Sequence, residues 1–401
     1  MTLPTVSTSL EIISMKKSLL ALAALGTFAG AAQAQSSVTL YGIIDAGFVY
    51  NNNSAGQKLY SLNSGNLQGS RWGLRGTEDL GGGLKAIFVL ENGFNVMNGR
   101  LGQGGDEFGR QAYVGLSTAQ FGTATLGRQY DSVVDYTGAL EVGSQWATYF
   151  GAHPGDLDNM NNSNRVNNAI KYTSNDYAGF KFGGLYSLGG VAGQFNRNQI
   201  WSVGAGYNRG PLQLGAGYLN VKNPNSSFFG NNATSSTTAS NMGGSLVYSG
   251  YASAHEQQVI SAGAAYTIAA ATIGATYSNT QFKDVGTDGG AALNPVGYTG
   301  GTAKFHNAEI NFKYQLTPAL LLGLAYDYTK GYGLNDAKYH QGMAGVDYFL
   351  SKRTDFYVAG VYQHASGTDS TNQTARANIN GLTASSTSNQ VAAIVGIRHK
   401  F

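Results

Sequence analysis

The sequence predicts an all-β chain, a transmembrane antiparallel β-barrel of sixteen strands, with eighteen as the alternative count. Three observations carry this. An export signal is followed by no apolar helix. Apolar and polar side chains alternate strictly over repeated segments of about ten residues. Short turns exchange regularly with long polar stretches.

The N-terminus reads as a targeting segment. Lys16 and Lys17 follow Met15 as a basic region, Leu19 to Gly30 is apolar, and Ala32-Gln33-Ala34 is a small-residue cleavage site. Cleavage after Ala34 divides the chain into a signal, residues 1–34, and a mature barrel domain, residues 35–401. Residues 1–14 precede a better start at Met15 and read as an upstream mis-start. The apolar stretch is too short for a membrane anchor and ends at the cleavage site. Without residues 1–34 the chain keeps 23 basic and 21 acidic residues over 367 positions, a balance unlike the basic stripe of a nucleic-acid binder. There is no cysteine, which suits a chain that crosses an oxidising compartment without disulfides. Glycine (57) and tyrosine (25) are abundant and proline (6) is scarce. No mature segment approaches the ~20 apolar residues of a membrane helix. A soluble secreted protein and a membrane barrel therefore remain.

Periodicity separates the two. In 306–315, His306, Ala308, Ile310, Phe312 and Tyr314 alternate with Asn307, Glu309, Asn311, Lys313 and Gln315. Leu320, Leu322, Leu324, Tyr326 and Tyr328 share one face, as do Leu212, Leu214, Ala216 and Tyr218. The first segment sets Val38, Leu40, Ile44, Ala46 and Phe48 against Thr39 and Asp45. Runs this long exceed the usual strand of a soluble sandwich and put apolar side chains toward lipid. Seven short turns lie at Glu78–Gly83, Ser117–Gly122, Ser174–Gly179, Asn208–Pro211, Thr267–Ala271, Gln315–Ala319 and Phe349–Thr354. Longer polar stretches fall near 51–69, 95–109, 130–165, 188–198, 223–257, 282–304, 330–337 and 366–388. Sixteen strands follow, with both termini on the short-turn side so that first and last can pair. The segment Asn241–Tyr251 reads alternatively as an extra hairpin, giving eighteen.

Tyr41, Tyr172, Tyr186, Tyr207, Tyr218, Tyr266, Tyr277, Tyr348 and Tyr362 sit near strand ends and suit aromatic girdles at the two interfaces. The last strand places Val391, Ala393, Val395, Ile397, His399 and Phe401 on its outward face.

At this point the chain resembles a known family. SSVTLYGIIDAGFVY from Ser36, SRWGLRGTEDLGGGLKAIFVLENGF from Ser70, FGRQAYVGLSTAQFGTATLGRQYD from Phe108, SKRTDFYVAGVYQHAS from Ser351 and the terminal VGIRHKF are similar to general porins of the beta-proteobacterial branch. The resemblance covers essentially the whole mature chain, by motif at both ends and by pattern in the middle. It implies sixteen strands, a homotrimer, an outer-membrane location among lipid and lipopolysaccharide, and a third loop folded into the pore. It also implies passage of small hydrophilic solutes and ions. The terminal Phe401 resembles the signal read by barrel-assembly machinery. The residues support the loop independently: 130–165 is long and carries Val133, Val134, Tyr136, Leu140, Trp146, Tyr149 and Phe150, enough apolar surface to pack.

Phase assigns the charges. Trp72 and Leu74 read as outward, so Arg71 and Arg75 read as inward; Leu84, Ala86, Phe88 and Leu90 put Lys85 and Glu91 inward; Tyr113 read as outward puts Arg110 inward. A lipid-facing cation at mid-membrane would cost ~2–4 kcal/mol. Arg128 ends the fifth strand and Arg165 opens the sixth. The resemblance makes Arg71, Arg110 and Arg165 a basic wall at the constriction, with Arg75, Arg128 and Lys85 nearby, and expects Asp131, Asp135 and Glu141 of the loop to oppose it. Within a Debye length of ~8 Å such walls hold a field across the opening. The excess of cations suggests weak anion preference. No G-x-S-x-G, H-E-x-x-H or Walker motif occurs, and Asp156-Leu157-Asp158 lacks the glycine of a calcium loop. Six scattered histidines show no ligand spacing. No enzyme, cofactor, metal or nucleic-acid role is expected. The rival readings are a substrate-specific channel, an adhesion barrel with a plugged lumen, and an outer-membrane hydrolase.

Overall fold

A computed structural model describes residues 36–231, 240–288 and 290–401. The export signal proposed over 1–34 lies outside the described residues. Seventeen segments form one antiparallel sheet: β1 Ser37–Ser54, β2 Gln57–Ser64, β3 Arg71–Gly81, β4 Leu84–Gly93, β5 Gln111–Thr118, β6 Gly122–Gln129, β7 Val166–Thr173, β8 Phe180–Ser187, β9 Ile200–Arg209, β10 Leu212–Lys222, β11 Glu256–Ile268, β12 Ala271–Lys283, β13 Ala303–Thr317, β14 Leu320–Gly333, β15 Lys338–Phe349, β16 Thr354–Ser366 and β17 Asn389–Lys400. Segments β2 and β3 are two halves of one strand. Both pair with β1, at Ala46↔Ser64 and Ile43↔Arg71, with residues 65–70 bulging between them. The wall therefore has sixteen strands. It closes where β17 pairs with β1 from Ile43↔Lys400 to Asn51↔Ala392. Gly42 and Phe401 exchange backbone hydrogen bonds of 3.0 Å at the seam.

Closure is what lipid demands, since an open edge would leave backbone groups unsatisfied. The side chains sort inside out. Val114 is 57% exposed, Ile310 58% and Leu324 60%, whereas Asn307, Glu309, Asp327, Gln341, Gln363 and Gln390 are buried on the inner face. All seven short turns fall where the sequence places them. The first long stretch does not. Strand β1 continues to Ser54, Ala55 and Gly56 make a tight turn, and 57–64 is strand. The run Asn51–Ser54 and the polar residues between Leu59, Tyr60 and Leu62 hid this, although Tyr60 and Leu62 lie across from Tyr50 and Phe48 on the outward face. Residues 241–251 hold turns and a short 3₁₀ segment but no hairpin, so the eighteen-strand alternative does not stand. Eight of the nine tyrosines share the apolar phase. Tyr41 does not: it lies beside inward Gly73 and donates to Glu91 at 3.0 Å.

Candidate pore constriction

The third loop, 130–165, folds into the barrel. Asp131 caps its short helix, Ser132–Tyr136, accepting from the Val133 and Val134 amides at 2.7 and 3.3 Å. Four 3₁₀ turns follow, so the loop stays compact. Its apolar side chains bury against glycines on the inner wall. A Cβ at Gly204 would sit 2.5 Å from the Tyr136 ring, and one at Gly323 would sit 2.2 Å from Trp146. The missing side chains are the space the loop occupies. Polar contacts fix it further. The Val142 amide donates to Glu309 at 3.1 Å, Asn311 Nδ2 to the Leu140 carbonyl at 3.1 Å, and Gln341 Nε2 to the Ala152 carbonyl at 3.0 Å.

Opposite the loop lies a cavity of about 240 Å³ lined by Arg71, Arg110, Arg165, Tyr130 and Gln68. The bulge between β2 and β3 supplies Gln68. Asp45 holds that bulge by accepting from the Asn66, Leu67 and Gln68 amides at 2.8–3.2 Å. Arg110 Nε lies 2.7 Å from Glu91 and Arg71 Nη1 lies 4.0 Å from it. The Arg165 guanidinium sits 5.9 Å over the Tyr130 ring, and burial together with Arg110, Arg128 and Arg71 presses its pKa down. A guanidinium nonetheless stays charged in any working buffer. Between Tyr130 and Arg165, the two ends of the loop, the cavity receives Val134, Gly138, Ala139, Gly143, Ser144, Tyr149, Met160, Asn161 and Asn162, all neutral.

Arg110 is inward for a different reason than phase implied. Tyr113 pairs with Val89, on the face of Glu91, and is itself inward, while Val114 and Leu116 point out. Arg110 precedes the strand, so alternation does not govern it. Arg128 lies at a register shift and is tied to loops: Nε donates to the Gly109 carbonyl at 2.8 Å, Nη1 to the Gly230 carbonyl at 3.2 Å and to Asn167. Arg75 sits over the Tyr41 ring at 5.4 Å. Lys85 pairs with Asp79 at the short-turn end, six residues along its strand from Glu91.

The loop acids do not line the cavity; each fastens the loop instead. Asp131 is the helix cap and also accepts from Asn159 at 2.7 Å; burial pushes it up to about 6. Asp135 pairs with Lys171 on β7. Glu141 is buried and accepts from the His153 amide at 2.9 Å. His153 then gathers a cluster that the sequence did not suggest. Its Nδ1 lies 2.7 Å from Asp158 and 3.9 Å from Glu141, and its Nε2 lies 3.4 Å from Glu309 and 3.9 Å from Asp327. Burial opposes charge on His153, but Asp158, Glu141 and Asp327 outweigh it and hold its pKa well above the ordinary value. Burial also lifts Glu141 well above the carboxylate range, and burial with Asp158 pushes Asp156 up to about 7. No local spacing joins 141, 153, 158, 309 and 327, so only the fold reveals the cluster. Tyr130, Gln68 and the 65–70 bulge were equally unannounced.

Comparison with known proteins agrees with this architecture. A model described as Gram-negative porin matches residues 21–368. Outer membrane porin protein 32 of Delftia acidovorans is 33% identical over 369 residues, covering 86% of this chain and 88% of that protein. An outer membrane porin of Bordetella pertussis is 40% identical over 242 residues, covering 52% of this chain and 61% of its own. The anion-selective porin from Comamonas acidovorans superposes with a TM-score of 0.70 at 25% identity, covering 91% of this chain and all of that one. The chain belongs to the Gram-negative porin family.

Proposed function

We propose that this chain lets small hydrophilic solutes and ions diffuse down their gradients, with a preference for anions. Membership of the porin family makes it an outer-membrane channel and not an enzyme. The sign of the preference rests on one observation: Arg71, Arg110 and Arg165 line one cavity, Glu91 pairs with the first two only, and the remaining loop residues that line the cavity are neutral. Two uncompensated positive charges within a Debye length attract anions and repel cations. The similarity to a porin described as anion-selective supports the same sign. Arg71, Arg110 and Arg165 carry the preference in this reading; Arg75, Arg128 and Lys85 contribute at longer range; Asp131, Asp135 and Glu141 act by holding the loop. A homotrimer, contact with lipopolysaccharide, recognition of Phe401 during assembly and export by residues 1–34 complete the proposal on the family resemblance.

The test is the purified protein in a planar bilayer under a potassium chloride gradient. Stepwise conductance and an anion-selective reversal potential are expected. Cation preference would reject the sign, and a bilayer without current steps would turn the reading toward an adhesion barrel.

A further inference from the structure

We infer that the outward face of β13–β17 is a binding site for the phosphorylated, multi-acylated glycolipid of the outer leaflet. The inference deepens the lipopolysaccharide contact proposed above and rests on the long loops facing the cell exterior, as in outer-membrane barrels generally.

The first observation is charge. At the long-loop end the outward phase carries Lys304 on β13, Lys330 on β14 and Lys338 on β15. Lys330 and Lys338 are directly cross-strand, an arrangement that is unfavourable unless an anion lies between them. Among the described residues none of the three makes an ion pair, and the outward phase of β13–β17 contains no Asp or Glu. The neighbouring strands show the contrast. There Glu256 on β11 pairs with both Lys222 and Lys283 at the same end of the barrel. The protein supplies its own counterion on that side and none on the other.

The second observation is shape. Level with the lysines, His306 lies across from Lys330 and stacks on Tyr332, which lies across from Lys304, with ring centres 4.7 Å apart; a step below, the Tyr326 hydroxyl lies 2.6 Å from His340 Nδ1. This aromatic and imidazole band is a surface suited to sugar rings. Below it the wall is hollowed. Gly342, Ala344, Gly360 and Ala393 form the floor of a furrow of about 750 Å³, with Phe312 and Leu324 as a ridge beside it. A second hollow of about 680 Å³ continues it toward the short-turn end. Along β15 alone the order is Lys338, His340, Gly342, Ala344: charge, ring, then groove. Phosphate, sugar and acyl chain occur in that order in the lipid. A furrow on the lipid-facing wall leaves packing contacts unmade unless a chain fills it.

The experiment uses the full barrel in detergent, with lipid A counted per barrel by native mass spectrometry after washing. The charge variant is the double substitution Lys330→Gln and Lys338→Gln. The groove variant is Gly342→Leu with Gly360→Leu. A Cβ at either glycine meets at most one atom, at 4.0 Å, so folding is preserved. Lipid A retention is expected to fall about tenfold in the charge variant, to fall in the groove variant, and to be weak for dephosphorylated lipid A on the unaltered chain. Equal retention across the variants, or equal retention of the dephosphorylated lipid, overturns the site. Loss of oligomer in the groove variant with lipid retention unchanged makes the furrow a subunit interface instead and also overturns it. Conductance of all three proteins is recorded alongside. The pore lies on the other face of the wall, so a failed lipid site with normal conductance leaves the channel reading intact.

Discussion

The third loop has two faces, and they treat charge in opposite ways. Toward the pore it offers Gly138, Ala139, Gly143 and Ser144, none of them acidic, to three arginines of which two pair with Glu91 on the wall. Toward the wall it buries His153 as the one cation among Glu141, Asp158, Glu309 and Asp327. The lesson concerns the acids. Those that the sequence offered as the negative side of the constriction are used to anchor the loop, and the constriction is left net positive as a result. Selectivity and loop fixation are then separable, and experiments can pull them apart.

The largest effect should come from His153→Ala. Removing the cation leaves buried carboxylates uncompensated, a loss on the order of 3–5 kcal/mol. Hydrogen exchange over residues 142–158 should accelerate and single-channel current should become noisy. An unchanged exchange rate would show that the cluster is not the anchor. Next is Gly323→Val, which drives a side chain into Trp146; overpacking of this kind costs about 1–3 kcal/mol. The indole should shift outward, blue or red in emission, with a widened conductance, and a wild-type conductance would count against the loop's glycine cradle.

A smaller, graded effect follows from pH. His153 is held above its ordinary pKa, so its stabilising charge is fully present below the unfolded value and is lost as pH rises through the raised one. Asp131 and Asp156 are acids raised to about 6 and about 7, and Glu141 is raised as well; the unfolded chain ionises such groups near the ordinary carboxylate value, so their cost accumulates as pH climbs from there to the raised values. All four push the same way: the loop is tightest in mildly acidic medium and loosens toward alkaline pH. Asp158 opposes only in strong acid, because burial raises its pKa but His153 brings it net below the usual value. Current noise that is flat from pH 5 to 9 would contradict this. The smallest effect is Arg165→Ser. One charge at ~8 Å in water is worth about 0.5 kcal/mol to each sign of ion, so the anion-to-cation permeability ratio should fall roughly fivefold. Loop exchange should stay as it was. A change in exchange with constant selectivity would reverse the roles assigned to the two faces.

The arginine wall was legible only in part. Phase placed Arg71 correctly because it lies within a strand. It reached the right side for Arg110 through a wrong premise, since Tyr113 also points inward and Arg110 precedes its strand. Arg128 was recognised as basic, but not as a tether to Gly109 and Gly230.

The amino-acid order alone determined the barrel, its seven short turns and, Tyr41 and Tyr113 apart, the outward side chains it named, because alternation is a property of extended backbone and needs no knowledge of partners. Only the tertiary structure decided that 65–70 bulges inward under Asp45, that His153 collects acids from β13 and β14, and that Lys330 faces Lys338. Each of these joins residues distant in the chain or on different strands. Their electrostatic partners are set by how the closed sheet brings strands and loop together, which no local pattern encodes.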